Sequence, residues 1–240
     1  MSHEVKIHDA QTLILRELLF TPSTSFSKLQ KVTGLDSDYF KFHIKKVVEL
    51  GYVEKIPGGD YALTRAGKEH ANKLDTDTNT IERQPKVSIL VCGWRTRKNT
   101  DEIEFLLQER LKNPYFGYLG RIGGKMRWGE TVFEAAAREL KEETGLDAGS
   151  LEYVGIYHKM DYELESKDLL EDKIFVCVTA QNFSGDYFEN FEGGRNAWMT
   201  VSEIQKHGKA FAGIKESMEY VNREIGTFTE KKFEYSKEDY

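Results

Sequence analysis

The chain has 240 residues, of which 39% are apolar and 12% aromatic, so it can bury one or two ordinary hydrophobic cores. This aromatic content and only four prolines exclude a disordered chain, and no apolar run approaches the roughly 18 residues that span a membrane. The net charge of −6 arises entirely in residues 81–240, where 29 acidic residues outnumber 23 basic ones. An acidic excess favours a site that gathers metal ions over a surface devoted to nucleic acid.

The first part of the chain is predicted to form three helices, a β-hairpin and a further helix. Apolar residues at helical spacing place helices at 13–20 and 25–32, and a third helix is capped by Asp36 or Ser37 and stopped by Gly51. Two short strands then flank the turn PGGD, and the last helix begins at about Thr64.

This order of elements resembles the winged helix-turn-helix domain, and the stretches HIKKVVELGYVEK and YALTRAGKEH carry the resemblance. In that family the third helix enters the DNA major groove, which makes Lys41, Lys45 and Lys46 the candidate DNA contacts. Asp38 near the leading end of this helix and Phe42 in place of a polar reader favour the alternative, a module for dimerisation or protein contact. Both interpretations remain open at this point.

A polar stretch without periodicity, DTDTNT followed by ERQP, separates the two parts of the chain. It predicts a first domain over residues 1–78, a linker over 79–85 and a second domain over 86–230. In the second domain we expect strands at 87–92, 103–107, 151–157 and 174–179, a helix at 131–143 and a C-terminal helix at about 213–224. Such a mixture is typical of an α/β sandwich with a mixed sheet.

The segment GKMRWGETVFEAAARELKEETGL, which begins at Gly124, contains the residues best suited to chemistry. Glu139, Glu142 and Glu143 stand at i, i+3 and i+4, so they share one helix face and their carboxylates are expected to converge, although like charges at this spacing destabilise a helix. A divalent cation such as Mg²⁺ would relieve the repulsion, and Arg138 could orient one carboxylate through a bidentate pair. Taken alone, such a run is more often an ordinary solvated face.

The complete spacing changes this interpretation. From Gly124 through Glu130 to the Arg-Glu-Leu and Glu-Glu pairs, the segment matches the Nudix box at all nine specified positions within 23 residues. The second domain therefore resembles the Nudix hydrolases, which implies an α+β Nudix sandwich with a mixed sheet. It also implies Mg²⁺-dependent hydrolysis of the diphosphate bond in a nucleoside diphosphate linked to another moiety. Ile122 departs from the family pattern, since many members have proline there, and we expect altered loop stiffness with little loss of chemistry.

The resemblance assigns roles by position. The positions that match the metal ligands of the family, for Mg²⁺ or for Mn²⁺ in its place, are Gly124, Glu139, Glu142 and Glu143. Arg138 matches the arginine that braces the glutamates, and Glu130 matches a supporting glutamate at the start of the helix. Water would attack a phosphorus atom while metal ions neutralise charge on the attacking and leaving oxygens.

The general base is less determined, because family members recruit it from different loops. Glu192, in EGGRNAW, resembles the late-loop glutamate that some members use. A competing acidic loop contains Glu163, Glu165, Asp168, Glu171 and Asp172. Each of these carboxylates is, by itself, more often solvated than catalytic.

The segment NPYFGYLGR, just before the box, supplies the candidate substrate contacts. Arg121 in this segment and Arg110 and Lys112 shortly before it are candidates to bind phosphate. Tyr118, like Tyr115 or Phe116, could stack on a base, whereas packing within the loop is the commoner role of such aromatics. The sequence tags of the NADH and coenzyme A branches are not visible. Nucleoside triphosphates, nucleotide sugars and dinucleoside polyphosphates therefore all remain candidate substrates.

Three hypotheses from different classes follow: an enzyme with an accessory winged helix, an enzyme whose winged helix binds DNA, and a nucleotide-responsive regulator with a Nudix sensor. The intact carboxylates argue against the regulator. Cys92 and Cys177 lie alone in apolar runs, which favours core packing in a reducing cytoplasm over a disulfide. No membrane partner is expected, and a homodimer is compatible with both resemblances without being established by either.

Overall fold

The computed structural model describes residues 8–75, 80–214 and 225–240. The chain divides between Arg83 and Gln84 into two compact units, each with its own hydrophobic core. Within the described ranges, no helix combines the length and the apolar character that crossing a membrane requires.

The first unit contains the predicted helices and hairpin in the predicted order. Its elements are α1 (Asp9–Phe20), α2 (Phe26–Thr33), α3 (Ser37–Glu49), β1 (Val53–Lys55), β2 (Tyr61–Leu63) and α4 (Arg65–Ala71). Asp36 caps α3, since its carboxylate accepts hydrogen bonds from the backbone N–H groups of Asp38 and Tyr39 at 3.0 Å. The apolar stripes of the helices, among them Ile14, Leu29 and Phe40, meet in one core. The assignment to the winged helix-turn-helix fold stays a prediction.

The predicted linker is partly ordered. Strands β3 (Leu74–Asp75) and β4 (Thr80–Ile81) pair antiparallel, and the N–H of Glu82 donates to the carbonyl of Lys73 at 2.9 Å. Residues 80–82 of the linker predicted at 79–85 are therefore hydrogen-bonded to residues 73–75 of the first unit. Sequence patterns miss this pair because each strand is only two residues long, too short to show an alternation of apolar and polar residues.

One mixed sheet organises the second unit, as predicted. Its strands are β5 (Lys86–Thr96), β6 (Ile103–Arg110), β7 (Leu119–Lys125), β8 (Leu146–Glu163), β9 (Leu169–Gly185), β10 (Asn190–Phe191), β11 (Gly194–Thr200) and β12 (Thr227–Tyr235). They lie in the order β10-β11-β6-β7-β5-β9-β8-β12, with an additional pairing of β5 with β6. The pairs β5–β9 and β8–β12 are parallel, and the other pairs are antiparallel.

Helix α5 (Val132–Thr144) packs its alanine-rich face on the sheet, and a short helix α6 (Val201–Lys206) follows β11. Residues alternate along β5, so Ile89 and Val91 face α5 in the core while Ser88 and Leu90 line a cavity. Cys92 and Cys177 are buried and form no disulfide with each other, which confirms the prediction that they pack in the core.

Three sequence-based boundaries need correction. Strands β8 and β9 have 18 and 17 residues, far beyond the predicted 151–157 and 174–179. The predicted end of the second domain at residue 230 is wrong, because β12 pairs with β8 as far as Tyr235, which is buried. Its lysine- and glutamate-rich sequence hides the alternation of half-buried and exposed residues that a strand shows. The helix predicted at 213–224 falls largely on residues outside the described ranges.

Candidate active site

Helix α5 is bounded by strong local signals. The Thr131 hydroxyl accepts from the backbone N–H of Glu134, while the Glu134 carboxylate accepts from the N–H of Thr131, which forms a capping box. Gly145 ends the helix in the left-handed region, at a φ of 76°, where a Cβ would lie 2.1 Å from the carbonyl oxygen of Asp186. The register of the glutamates along α5 is therefore fixed from both ends.

Two adjacent glycines of β7 open the wall that faces these glutamates. A Cβ at Gly124 would lie only 2.3 Å from the carboxylate of Glu139, and a Cβ at Gly123 would lie 2.4 Å from the carbonyl oxygen of Ile89. Neither position has room for a side chain. The absence of a side chain at Gly124 makes room for the Glu139 carboxylate, and its absence at Gly123 lets β7 lie close to the backbone of β5.

Glu143 of α5 is held by polar groups from three strands, β6, β7 and β11. Gln108 Nε2 donates to Glu143 Oε2 at 3.0 Å, and the N–H of Gly123 donates to the same carboxylate. Asn196 Nδ2 donates to the backbone carbonyl of Glu143 at 2.6 Å, and its side-chain oxygen accepts from Gln108 at 3.3 Å. Burial raises the pKa of Glu143 to about 7, and the negative charge of Glu139 acts in the same direction. The sequence did not indicate roles for Gln108 or Asn196; the polar interruption of the apolar run EFLLQER was the available signal for Gln108.

Arg138 is the centre of an ion-pair network. Its Nε and Nη2 bind the two carboxylate oxygens of Glu130 at 2.5 and 2.8 Å, and its Nη1 binds Glu139 at 2.6 Å. The guanidinium holds the pKa of Glu130 down at about 2. The bidentate pair expected of Arg138 therefore forms with Glu130, while one further bond fixes Glu139.

Of the three glutamates expected to converge, Glu142 shares Arg138 Nη1 with Glu139, but its carboxylate lies outside the cavity lining. Its carboxylate is drawn to Arg127 Nη2 at 3.0 Å and to Arg138 Nη1 at 3.2 Å, and it does not line the cavity. In the part of the chain that the structure describes, no three His, Cys, Asp or Glu side chains are grouped closely enough to hold a metal ion. Glu139 and Glu143 alone of the three reach the cavity wall.

The cavity in front of these two glutamates has a volume of about 430 Å³. Its described lining contains more basic than acidic side chains. The basic ones are Lys86, Arg110, Lys112, Arg121, Lys125, Lys159 and Lys173. The acidic ones are Glu139, Glu143 and Glu171. Aromatic side chains complete the wall, namely Tyr115, Tyr157, Phe175 and Phe211. Such a lining suits a polyanionic ligand that also carries a flat or apolar group.

Comparison with known proteins identifies this arrangement. A family model for the NUDIX domain matches residues 82–221, which is more than half of the chain. The chain belongs to the Nudix family. The match covers both the box segment and the strands that carry the cavity.

Individual Nudix proteins resemble the chain over parts of its length. An ADP-ribose pyrophosphatase of Methanocaldococcus jannaschii is 33% identical over 108 residues, which is 44% of this chain and 62% of that protein. A putative 8-oxo-dGTP diphosphatase of Bacillus subtilis, YtkD, is 39% identical over 67 residues, or 28% of this chain and 40% of that protein. The chain thus spans less than two thirds of either relative. The NUDIX domain of Shewanella oneidensis NrtR, crystallised with ADP ribose, aligns with a TM-score of 0.49 at 17% identity, covering 66% of this chain and 97% of that one.

Some of the predicted substrate contacts line this Nudix cavity and others do not. Arg110 and Arg121 line it, as the sequence suggested. Tyr118 does not; its ring packs against Phe211 with 5.1 Å between the ring centroids. Tyr115 lines the cavity instead, buried to 2% exposure, and its hydroxyl donates to Asp161 Oδ2 at 2.8 Å. Because Tyr115 is held by this bond and by surrounding rings, it contributes a fixed wall.

The candidate general bases also differ in whether they line the cavity. Glu192 is an exposed residue in the two-residue turn between β10 and β11 and does not line the Nudix cavity. Of the competing acidic loop, Glu171 alone lines it, with its carboxylate 2.8 Å from Lys86 and 3.4 Å from Lys173. Asp172 is bonded to His158 at 2.8 Å. The other three members, Glu163, Glu165 and Asp168, are half-buried or exposed and lie away from the lining.

The three lysines predicted to contact DNA are exposed on α3 in the first unit, and each is paired with an acid. Lys41 lies 3.1 Å from Asp38, and Lys45 and Lys46 lie 3.7 and 3.8 Å from Glu49. Such exposed pairs contribute little stability and break readily. DNA binding stays a prediction. A gel-shift assay that begins at low salt tests it, because phosphate contacts weaken steeply as salt is added.

Proposed function

We propose that the chain is a Nudix pyrophosphohydrolase that cleaves the diphosphate bond of a nucleoside diphosphate linked to another moiety. The observation that carries this proposal is that Glu139, which lies against Gly124, and Glu143 both line a cavity rich in basic side chains. Carboxylates beside an excess of arginine and lysine suit a diphosphate whose charge must be both bound and neutralised. The hydrolase names of the Methanocaldococcus and Bacillus relatives support the same reaction class.

The residues at this wall fit a hard divalent cation. The candidate ligand atoms are all oxygens, and the glycine at position 124 lets the Glu139 carboxylate lie close to its backbone. Glu139, Glu143 and the Gly124 carbonyl would hold Mg²⁺, or Mn²⁺ in its place, and Glu142 would join them by rotating its half-exposed side chain away from Arg127. When bound, the ion would neutralise charge on the attacking and leaving oxygens of the diphosphate.

The other side chains bind and orient. Arg110, Lys112 and Arg121 would bind the diphosphate oxygens from the cavity wall. Arg138, itself fixed by Glu130, keeps Glu139 in one orientation, and Gln108 does the same for Glu143. These are positioning roles, because neither side chain needs to touch the reacting atoms.

Glu192 remains our proposed general base, although its turn must move for the carboxylate to enter the cavity. The turn adjoins the cavity rim, since a Cβ at Gly193 would lie 3.0 Å from Lys112 Nζ, and Lys112 belongs to the lining. A loss of turnover in Glu192→Gln without a change in KM would support this role. Unchanged turnover would transfer the role to a carboxylate already in the lining.

A cytoplasmic location is part of the proposal. Cys92 and Cys177 are both buried thiols that form no disulfide with each other, which suits a reducing compartment. Nucleotide derivatives, the substrates proposed here, would be available in the same compartment.

The deciding experiment is release of nucleoside monophosphate or phosphate from a panel of nucleoside diphosphate derivatives, with Mg²⁺ and with EDTA. Nucleoside triphosphates, nucleotide sugars and dinucleoside polyphosphates each need a representative. Metal-dependent turnover of one class is the expected result and would name the substrate. Silence across the panel together with tight binding of one member would overturn the enzyme proposal in favour of a nucleotide-responsive regulator.

A further inference from the structure

Three lysines on three adjacent strands form a row across the sheet. Lys86 of β5 is the direct partner of Lys173 of β9, which in turn is the direct partner of Lys159 of β8. All three line the cavity described above. We call this group the lysine row, and none of its members belongs to the Nudix box or to the contacts that the sequence predicted.

The lysine row has a folding cost that is offset in part at Lys159, whose ammonium lies 4.9 to 5.5 Å from the ring centroids of Tyr115, Phe211, Phe233 and Tyr235. Like charges directly opposite each other destabilise a sheet, and desolvating an ammonium group adds to this cost. The side chains of Lys159 and Lys173 are only 9% and 24% exposed. Burial lowers the pKa of Lys159 to about 8 and also lowers that of Lys173. A protein that keeps these three lysines side by side must gain a function from them that offsets this folding cost.

The row carries more positive charge than its partners neutralise. Glu171 serves two members, at 2.8 Å from Lys86 and 3.4 Å from Lys173, and Asp161 Oδ2 lies 2.5 Å from Lys159. In the described ion pairs, two carboxylates thus face three ammonium groups. If the row existed only to neutralise Glu171 and Asp161, two lysines would be enough.

The lysine row is separated from the glutamate end of the cavity. Gly124 is the partner of Ile89 on β5, and Lys86 lies three residues before Ile89 on the same strand. Three residues of extended strand correspond to about 10 Å. One sugar unit beyond the diphosphate can bridge such a separation.

We propose that the lysine row is a second anion subsite, and that the preferred substrate carries a phosphate or carboxylate on a moiety beyond the scissile diphosphate. This inference rests on the proposed function, and it narrows the substrate class to nucleoside diphosphate derivatives with a further negative group. Lysine suits this task because its ammonium is a compact charge that binds phosphate or carboxylate oxygens without demanding bidentate geometry.

The test uses substrate pairs that differ in one negative group. ADP-ribose is compared with ADP-ribose phosphorylated on its terminal ribose, and UDP-glucose with UDP-glucuronate. The first pair reports on phosphate and the second on carboxylate. We expect wild-type protein to prefer the charged member of at least one pair, by roughly tenfold in KM and in the dissociation constant measured by calorimetry in EDTA, as one charge-assisted contact provides. Binding in EDTA keeps the subsite measurable even if neither compound is hydrolysed, so the two proposals fail separately.

Variants assign the preference to the lysine row. Lys173→Met keeps the apolar stem and removes the charge, so it should abolish most of the preference, measured as the ratio of the constants for the charged and the neutral member. Lys173→Arg keeps the charge and should retain the preference even if it is less stable. Lys232→Met, on the exposed face of β12, is the matched control and should behave as wild type. Equal binding of both members of both pairs by wild type, or an undiminished preference in folded Lys173→Met, would overturn the subsite.

Discussion

The carboxylate of Glu139 occupies the space that a side chain at position 124 would need, with 2.3 Å between its oxygen and the Cβ position of Gly124. Arg138 fixes this carboxylate from the other side at 2.6 Å. A glycine on a strand and a glutamate on a helix, fifteen residues apart, thus form one structural unit. The glycine matters at this site because it makes room for a functional group, and no unusual backbone conformation is involved.

Gly124→Ala should therefore abolish most of the hydrolase activity while leaving the fold intact. The added methyl group meets the flexible end of the Glu139 side chain, which can swing away at little cost to stability, but the carboxylate then leaves the cavity wall. We expect turnover to fall on the order of a hundredfold. Turnover and thermal midpoint measured on the same preparation check this.

Gly123→Ala is the contrasting control for that prediction. Its methyl group would lie 2.4 Å from the carbonyl oxygen of Ile89, and backbone in a paired strand cannot yield as a side chain can. Overpacking of this kind costs about 1 to 3 kcal/mol in the free energy of unfolding. A destabilised Gly124→Ala with normal turnover per folded molecule would contradict the assignment of Glu139.

Glu143→Gln should reduce turnover by on the order of a hundredfold or more, because it removes one proposed metal-binding charge and keeps the shape of the side chain. The amide can still meet Gln108 after that side chain flips, so the thermal midpoint should change little. Lys45→Ala, in the other unit, should leave turnover unchanged. Wild-type turnover by Glu143→Gln would refute its role as a ligand, and a loss in Lys45→Ala would show that the two units are coupled.

The sequence predicts the parts of this site that local patterns determine. The bounds of α5 follow from the Thr131 cap and from Gly145, and the spacing of the box identifies Glu139 and Glu143 before any coordinates are known. The partners of these residues depend on strand register over long separations. Gln108 lies 35 residues from Glu143 in the chain, a separation over which no helical or strand period carries information.

Two other features escaped sequence analysis for the same physical reason. The lysine row exists only because three strands align, and each lysine by itself resembles an ordinary solvated residue. Glu142 shares a helix face with Glu139, but spacing on a helix does not show that Arg127, from the preceding loop, captures its carboxylate. Helix periodicity predicts which residues are neighbours, while the competing ion pairs depend on tertiary structure.

Glu130→Gln should impair catalysis through Arg138. The bidentate pair between them would lose its charge, and Arg138 would then be free to turn toward Glu142 and release Glu139. Outer partners of metal ligands typically contribute 10- to 100-fold, so we expect a decrease of about this size in turnover together with a raised Mg²⁺ requirement. A Mg²⁺ titration of turnover measures both quantities.

The matched control for Glu130 is Glu134→Gln on the first turn of the same helix. Glu134 accepts hydrogen bonds from Thr131 in the capping box and has no bond to Arg138 in the described structure. Its loss should lower the thermal midpoint and leave the Mg²⁺ requirement unchanged. If both variants shifted the Mg²⁺ requirement equally, helix stability would explain the effect and the bracing role of Glu130 would be wrong.

His158 should make stability depend on pH at the edge of the sheet. Its ring nitrogens lie 2.8 Å from Asp172 on β9 and 2.7 Å from Glu230 on β12, and these two carboxylates raise its pKa above the usual 6.5. The histidine binds a proton more tightly in the folded than in the unfolded chain. Its contribution to the free energy of unfolding is therefore complete below about pH 6.5 and is lost as the pH rises through the raised pKa.

Urea unfolding of wild type and His158→Gln at about pH 5.5 and about pH 9 measures this contribution, because titration of the other groups cancels in the difference between the two proteins. We expect the wild type to exceed the variant by a clearly larger free energy of unfolding at the lower pH. Glu230→Gln removes one of the two carboxylates. The free energy of unfolding of wild type should therefore also exceed that of Glu230→Gln by more at the lower pH, but this pH dependence should be smaller than the one found with His158→Gln. A difference between wild type and His158→Gln that is equal at both pH values would mean that the ring stabilises the sheet by packing and neutral hydrogen bonds, without its charge.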